Sequence, residues 1–209
     1  MPALGSGETQ LWYARLDDEN PQEFRRILSP DEHARAERFI TPLLRHRFIT
    51  AHGVLRHLLG QYLEMKPEEL AFQNGVHGKP VLGADFSKQI SFNLSHSEGL
   101  AVYAFASHLE VGVDIEKIHP IPEVDEIAAN YFSPIEQITL MKLPKEEKIN
   151  RFFRFWTCKE AVLKAAGYGF GFPARNFTVD LTETDARLSA SPLDLTGGGR
   201  MPADLALPG

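Results

Sequence analysis

Cysteine is nearly missing from this chain: Cys158 is the single thiol in 209 residues. One thiol excludes a disulfide framework and a cysteine-based zinc site, because both need several. Its neighbours Phe155 and Val162 make it a packing thiol, not a nucleophile. Long hydrophobic runs are also missing, and no apolar stretch approaches the roughly 20 residues of a membrane-spanning helix. There is no positive excess either. The net charge of −6 argues against a general nucleic-acid binder or a protein held on anionic membranes. Basic residues do cluster between Arg25 and Lys66, where they could make a local anion site. Residues Met1–Gln10 are polar and hold no apolar core of a secretion signal. The expectation is a soluble, cytoplasmic, monomeric protein that binds neither membrane nor nucleic acid.

What is present is enough apolar material for a core. Hydrophobic residues make up 43% of the chain, which suits one large domain or two small halves. Leu11 to Leu16 alternates as an opening strand. Ser29-Pro30-Asp31-Glu32 starts a helix, with a capping hydroxyl, Pro in the first turn and acids after it. Thr41 and Pro42 start a longer one, reaching about Glu64, with a stripe of Leu44, Phe48, Ala51, Leu55, Leu58 and Tyr62. Arg45, His52 and Arg56 line its flank. Strands are expected at Ile90 to Asn93, Leu100 to Ala106 and Val111 to Glu116. Helices follow at Val124 to Tyr131 and Pro134 to Met141, and Phe177 to Leu181 reads as a late strand. From Ser191 onward, Gly197-Gly198-Gly199 and scattered prolines predict a loose tail.

Two segments concentrate charge where it is unwelcome. In Gly112-Val113-Asp114-Ile115-Glu116, strand alternation would project Asp114 and Glu116 to one side while Val113 and Ile115 pack on the other. Neighbouring carboxylates repel, and a hard divalent cation such as Mg2+, which favours oxygen ligands, removes the conflict. The second segment, Pro144 to Gly167, has Pro at its start and Gly at its end and reads as a helix. Ile149, Phe153, Trp156, Glu160 and Leu163 form one stripe; Phe155, Cys158, Val162 and Ala165 form another. Glu160 therefore sits in an apolar stripe, with Lys164 one turn on. It could make a structural ion pair with Lys164. In so apolar a helix a functional carboxylate is the favoured reading, since a buried charge needs a partner or a metal.

The two longest helices also match each other. Residues Arg47 to Leu55 align with Arg154 to Val162, and continuing the register places Gly60 on Gly167. The Arg, Phe, Thr and final Gly are identical, and Phe48, Ala51, Leu55 and Leu58 fall on Phe155, Cys158, Val162 and Ala165. The fold expected is α+β: two related halves, each a long helix packed on a small antiparallel sheet, at residues 1–108 and 109–190 with a tail at 191–209. A cleft between such halves is the natural ligand site.

Gly78-Lys79-Pro80, Phe92-Asn93-Leu94-Ser95-His96-Ser97, Gly112 to Glu116 and Phe155-Trp156-Thr157-Cys158-Lys159-Glu160 through Lys164 resemble, in order and spacing, the Sfp-like 4′-phosphopantetheinyl transferases. The resemblance spans about Leu11 to Leu181. It implies a pseudo-twofold α+β fold and transfer of phosphopantetheine from coenzyme A to a serine of an acyl or peptidyl carrier protein, releasing 3′,5′-ADP. By resemblance, Asp114, Glu116 and Glu160 hold Mg2+, Glu160 is also general base, and Lys164 steadies phosphate. Lys79, Ser95, His96 and Arg47 line the coenzyme A nucleotide. Lys159 either contacts phosphate or pairs with a structural acid. Where some relatives carry basic residues, this chain has Glu32 and Arg35.

Two other classes compete. A Mg2+-dependent nuclease or phosphodiesterase would share the carboxylates and lysine, but needs a basic groove for a polyanion. A non-catalytic carrier-binding protein of the same fold would not need Asp114, Glu116, Glu160 and Lys164 intact. A carrier is expected to dock on Ile118, Ile121, Val124 and Ile127, with ordinary core packing as the alternative for Ile127.

Overall fold

The computed structural model describes residues 4–74, 80–83, 86, 90–168, 172–182 and 186–188. The expected tail at 191–209 lies outside the described residues. The architecture is α+β, helices with small antiparallel sheets. The chain divides into two compact units, Met1–Ile115 and Glu116–Gly209.

In the first unit, β1 (Thr9–Arg15), β4 (Ser91–Ser97) and β5 (Leu100–Ala106) form an antiparallel sheet in the order β1-β5-β4. Against one face lies α3 (Pro42–Leu63), started by the Thr41 hydroxyl. Ala51, Leu55 and Leu58 from the expected stripe pack there on Phe92, Tyr103 and Phe105. Leu44, expected in the same stripe, is exposed. The opposite sheet face carries Ala104 and Ala106 under Val111 and Val113. Two short helices, α1 (Pro21–Arg25) and α2 (Pro30–Ala36), precede α3. The hairpin β2 (Phe72–Asn74) and β3 (Pro80–Leu82) follows it.

Ser29 caps α2, and the Glu32 side chain bonds back to the Ser29 N–H at 2.7 Å. That is the ordinary capping box. Here the same carboxylate also takes Arg56 Nε at 2.8 Å and sits 3.2 Å from His52 Nδ1. Arg56 is 1% exposed and spends further donors on the carbonyls of Pro67 and Leu70. His52 and Arg56, expected on the flank of α3, are thus buried, with Glu32 supplying the carboxylate that balances the Arg56 charge and bonds the His52 ring.

The second unit repeats this device. Its helices are α4 (Val124–Tyr131), α5 (Pro134–Met141) and α6 (Lys145–Ala165), with a short hairpin of β6 (Val179–Leu181) and β7 (Ala186–Leu188). Ser133 caps α5, and Glu136 Oε2 returns to the Ser133 N–H at 2.7 Å. Glu136 Oε1 takes Lys159 Nζ at 2.8 Å and the Val179 N–H at 2.7 Å. Lys159 is 0% exposed. Phe132, Phe152, Phe155, Leu163 and Phe177 form the surrounding core.

Two expectations change. Residues Val111 to Glu116 are not a strand. Asn93 Oδ1 accepts the Val113 N–H at 2.9 Å, and Ser95 Oγ accepts the Ile115 N–H at 3.4 Å. Side chains on alternate positions of β4 take the donors that a backbone ladder would use, so the segment does not join the sheet. Of the expected docking residues, Ile121, Val124 and Ile127 are partly buried against the second core. Ile118 is exposed.

Candidate functional site

Asp114 is fixed by its neighbours in the first unit. The Ser95 hydroxyl donates to Asp114 Oδ1 at 2.8 Å while accepting the Ile115 N–H. Ser95 is buried because it belongs to the β4 face that the Val111–Ile115 segment covers. The structure therefore brings two of the sequence-derived site residues together, as a hydroxyl orienting a carboxylate. Its neighbour His96, pointing the other way along β4, is exposed.

Arg47 lies on α3 in a two-pronged pair with Asp17: Nε to Oδ1 at 2.8 Å and Nη2 to Oδ2 at 2.7 Å. That fork fixes the guanidinium plane and holds the Asp17 carboxyl below its usual range. Lys79 lies outside the described residues. Glu116 is exposed.

In the second unit, Glu160 and Lys164 are one turn apart on α6 and both half-buried. The fully buried charge of this helix is Lys159, where the sequence pointed to Glu160. Phe152 and Phe155 turn their face of the helix into the core, and position 159 follows them at helical spacing, while 160 falls at the margin. Lys159 pairs with the structural acid Glu136 and also donates to the Phe177 carbonyl at 2.6 Å. Burial lowers its pKa, against the opposing pull of Glu136. This decides between the two roles left open for Lys159.

Glu160 Oε1 accepts a hydrogen bond from the Tyr131 hydroxyl at the end of α4. Sequence reading placed Tyr131 in a helix and gave it no role. Nothing in a lone aromatic at a helix end announces the contact. Glu136 could have been suspected from the Ser133-Pro134-Ile135-Glu136 pattern, though its reach to Lys159 depends on packing.

Asp114, Glu116 and Glu160 offer oxygen donors only, a set that suits a hard cation such as Mg2+. Among the described residues, no three His, Cys, Asp or Glu side chains are gathered as a ready ligand cluster. No described helix is long and apolar enough to cross a membrane.

Residues 110–196 match the 4′-phosphopantetheinyl transferase superfamily model, and residues 17–108 match the model of a 4′-phosphopantetheinyl transferase N-terminal region. The chain is 40% identical over 193 residues to 4′-phosphopantetheinyl transferase HetI of Nostoc sp., covering 90% of this chain and 81% of that protein. It is 30% identical over 166 residues to 4′-phosphopantetheinyl transferase Sfp of Bacillus subtilis, covering 79% and 72%. It is also 30% identical over 166 residues to the human L-aminoadipate-semialdehyde dehydrogenase-phosphopantetheinyl transferase, covering 75% and 54%. With both parts of the chain matched in order, and HetI matched over most of its length, this chain is an enzyme that belongs to the 4′-phosphopantetheinyl transferase family.

Proposed function

We propose that the enzyme moves the 4′-phosphopantetheine group of coenzyme A onto a serine hydroxyl of an apo acyl or peptidyl carrier protein, with Mg2+, releasing 3′,5′-ADP. The observation that carries this is the family match over residues 17–108 and 110–196, with Asp114 and Glu160 each held by a neighbouring hydroxyl. In this reaction the serine oxygen forms a new bond to phosphorus, the pyrophosphate bond breaks, and the nucleotide leaves with the bridging oxygen.

Asp114, Glu116 and Glu160 would hold the Mg2+, which when bound neutralises charge on the pyrophosphate. Glu160 accepts the serine proton, directly or through a water. Lys164 stabilises the phosphate as a point charge one turn along the helix. Ser95 keeps Asp114 oriented. Lys79 and His96 contact the nucleotide end of coenzyme A, and Arg47 reaches it from the fork with Asp17. A carrier is the acceptor on this reading, and the two related halves of the chain are part of it.

The test is mass spectrometry of apo acyl and peptidyl carrier proteins incubated with coenzyme A, Mg2+ and this protein. The expected result is a carrier mass raised by one phosphopantetheine, with 3′,5′-ADP in solution and neither after chelation. Asp114→Ala and Glu160→Ala should abolish the gain. Unmodified carrier of every kind, or modification that survives chelation, would reject the reading.

A further inference from the structure

We propose that Tyr131 is the positioning residue for Glu160, its hydroxyl fixing the carboxylate in one orientation; this rests on the role given to Glu160 above. Tyr131 is the last residue of α4. Its ring stacks on Trp156, with centroids 4.4 Å apart and planes 26° apart. Trp156 lies one helical turn before Glu160 on α6, so the stacked ring directs its hydroxyl along the helix to Glu160 Oε1.

The contact matters because of what glutamate is. Its side chain has several rotatable bonds, and an unrestrained carboxylate at the margin of a core samples many rotamers. A phenol donating to one oxygen is a charge-assisted bond, stronger than a neutral one, and removes much of that freedom. An acid that must meet a cation or a serine proton gains from being already in place.

The same short stretch of chain also fixes the neighbouring residue. Five positions after Tyr131, Glu136 holds Lys159. Phe132 between them is fully buried. Residues 131–136 therefore secure consecutive positions of α6, one by an ion pair in the core and one by a hydroxyl at its margin. For packing alone, phenylalanine at position 131 would serve as well, since the stacking uses the ring. Among the described residues, the Tyr131 ring stacks on Trp156 and its hydroxyl goes to Glu160.

Tyr131→Phe isolates that hydroxyl while leaving the ring stack. It should lower kcat about tenfold, the scale of one hydrogen bond to a charged acceptor. The KM for coenzyme A should stay within about twofold, because the nucleotide contacts are elsewhere. Calorimetric titration of Mg2+ into the full-length, metal-free chain should show affinity weakened about tenfold, as when the partner of a ligating group is removed. The melting temperature should stay within about 3 °C of wild type. Glu160→Gln serves as reference. If Glu160→Gln is inactive and Tyr131→Phe matches wild type in kcat and Mg2+ affinity, the positioning role is overturned while the reading of Glu160 stands. If Glu160→Gln keeps wild-type activity, the reading of Glu160 fails, and the positioning role with it. A Tyr131→Phe loss that follows a matching loss of folded protein would make the residue a packing element and overturn the proposal.

Discussion

The long helices α3 and α6 are tethered by the same local device, but they carry different cations into it. Ser29-Pro30-Asp31-Glu32 and Ser133-Pro134-Ile135-Glu136 both form capping boxes. In each, the glutamate reaches past its own helix start to a buried cation on the long helix. Each cation then bonds a carbonyl well downstream, Arg56 at Pro67 and Leu70, Lys159 at Phe177. A capping box that closes only its own helix is a local matter. Here it also ties the long helix to the chain that follows. The difference lies in what each cation can do when its acid is lost. Arginine keeps its charge at any ordinary pH, whereas a buried lysine can shed its proton.

The helices differ again at the position aligned with Glu160. In α3 that position is Gly53, and a Cβ there would lie 2.3 Å from the Phe24 Cβ. Packing of α1 leaves no room for a side chain. In α6 the same register has space for a glutamate and a tyrosine to meet it. Two helices with matching stripes therefore have unequal chemical capacity, because their neighbours differ.

The comparison breaks most sharply at the tethers. Glu32→Ala leaves Arg56 buried without its carboxylate and should cost about 3–5 kcal/mol in urea unfolding at neutral pH. Glu136→Ala should cost less, since Lys159, already pulled below its usual pKa by burial, can become neutral. Raising the pH toward about 9.5 should shrink the Glu136→Ala penalty, because the folded variant then holds Lys159 neutral while its unfolded chain still binds the proton. The cost of giving up that proton falls as pH rises toward the ordinary lysine value. The Glu32→Ala penalty should stay flat. Equal penalties with no pH dependence would show that the two cations are interchangeable.

Acid titration gives the next largest effect. Burial raises the Glu32 pKa, but His52, the Ser29 N–H and Arg56 outweigh it and hold the group at about 2, against 4.5 for an ordinary glutamate. A depressed folded pKa means stability present above about pH 4.5 and lost as pH falls through about 2. The shift is worth about 3 kcal/mol. Unfolding of Glu32→Gln should therefore vary less steeply with pH across this window than the wild-type protein. The same slope in both proteins would assign the acid sensitivity to other carboxylates.

Gly53 and Glu160 are the next pair. Gly53→Ala drives a methyl into Phe24 and should cost about 1–3 kcal/mol. Glu160→Ala should change stability by no more than about 0.5 kcal/mol, being at the core margin, yet stop carrier modification. Thermal unfolding run beside the carrier assay would separate the two. A stable Gly53→Ala protein would mean that Phe24 can move aside.

The smallest effects concern the helix ends. The α6 helix ends at Gly167 with φ 71°, whereas α3 ends at Glu64 with φ 53°. Gly167→Ala should cost about 1 kcal/mol, because a Cβ is disfavoured there. Glu64→Gly should gain at most about 0.5 kcal/mol, since relief of strain is offset by a more flexible unfolded chain. A loss on Glu64→Gly would assign that side chain a contact that outweighs its backbone strain.

Element positions were legible wherever local chemistry sets them. Thr41-Pro42, Ser29-Pro30 and Ser133-Pro134 mark helix starts because a hydroxyl caps and a proline fits the first turn. The strand expected from Leu100 to Ala106 is observed with those bounds. Alternation failed at Val111 to Glu116, which alternates as a strand would, but where the N–H groups of Val113 and Ile115 go to the Asn93 and Ser95 side chains. Sequence showed that α6 buries a charge and named Glu160. Which of two adjacent residues faces inward depends on the aromatic packing of Phe152 and Phe155, and Lys159 took the place.

By itself, the sequence determined the helices from α2 onward, the strands β1, β4, β5 and β6, and the family, and it proposed the acids and lysines of the chemistry, because capping, periodicity and motif order are properties of neighbours along the chain. Only the tertiary structure decided who holds those groups. Ser95 on Asp114, Glu32 on Arg56, Glu136 on Lys159 and Tyr131 on Glu160 join residues 19 to 29 positions apart. Such pairs form where folded elements bring polar atoms within bonding reach and exclude water, and no local spacing encodes that.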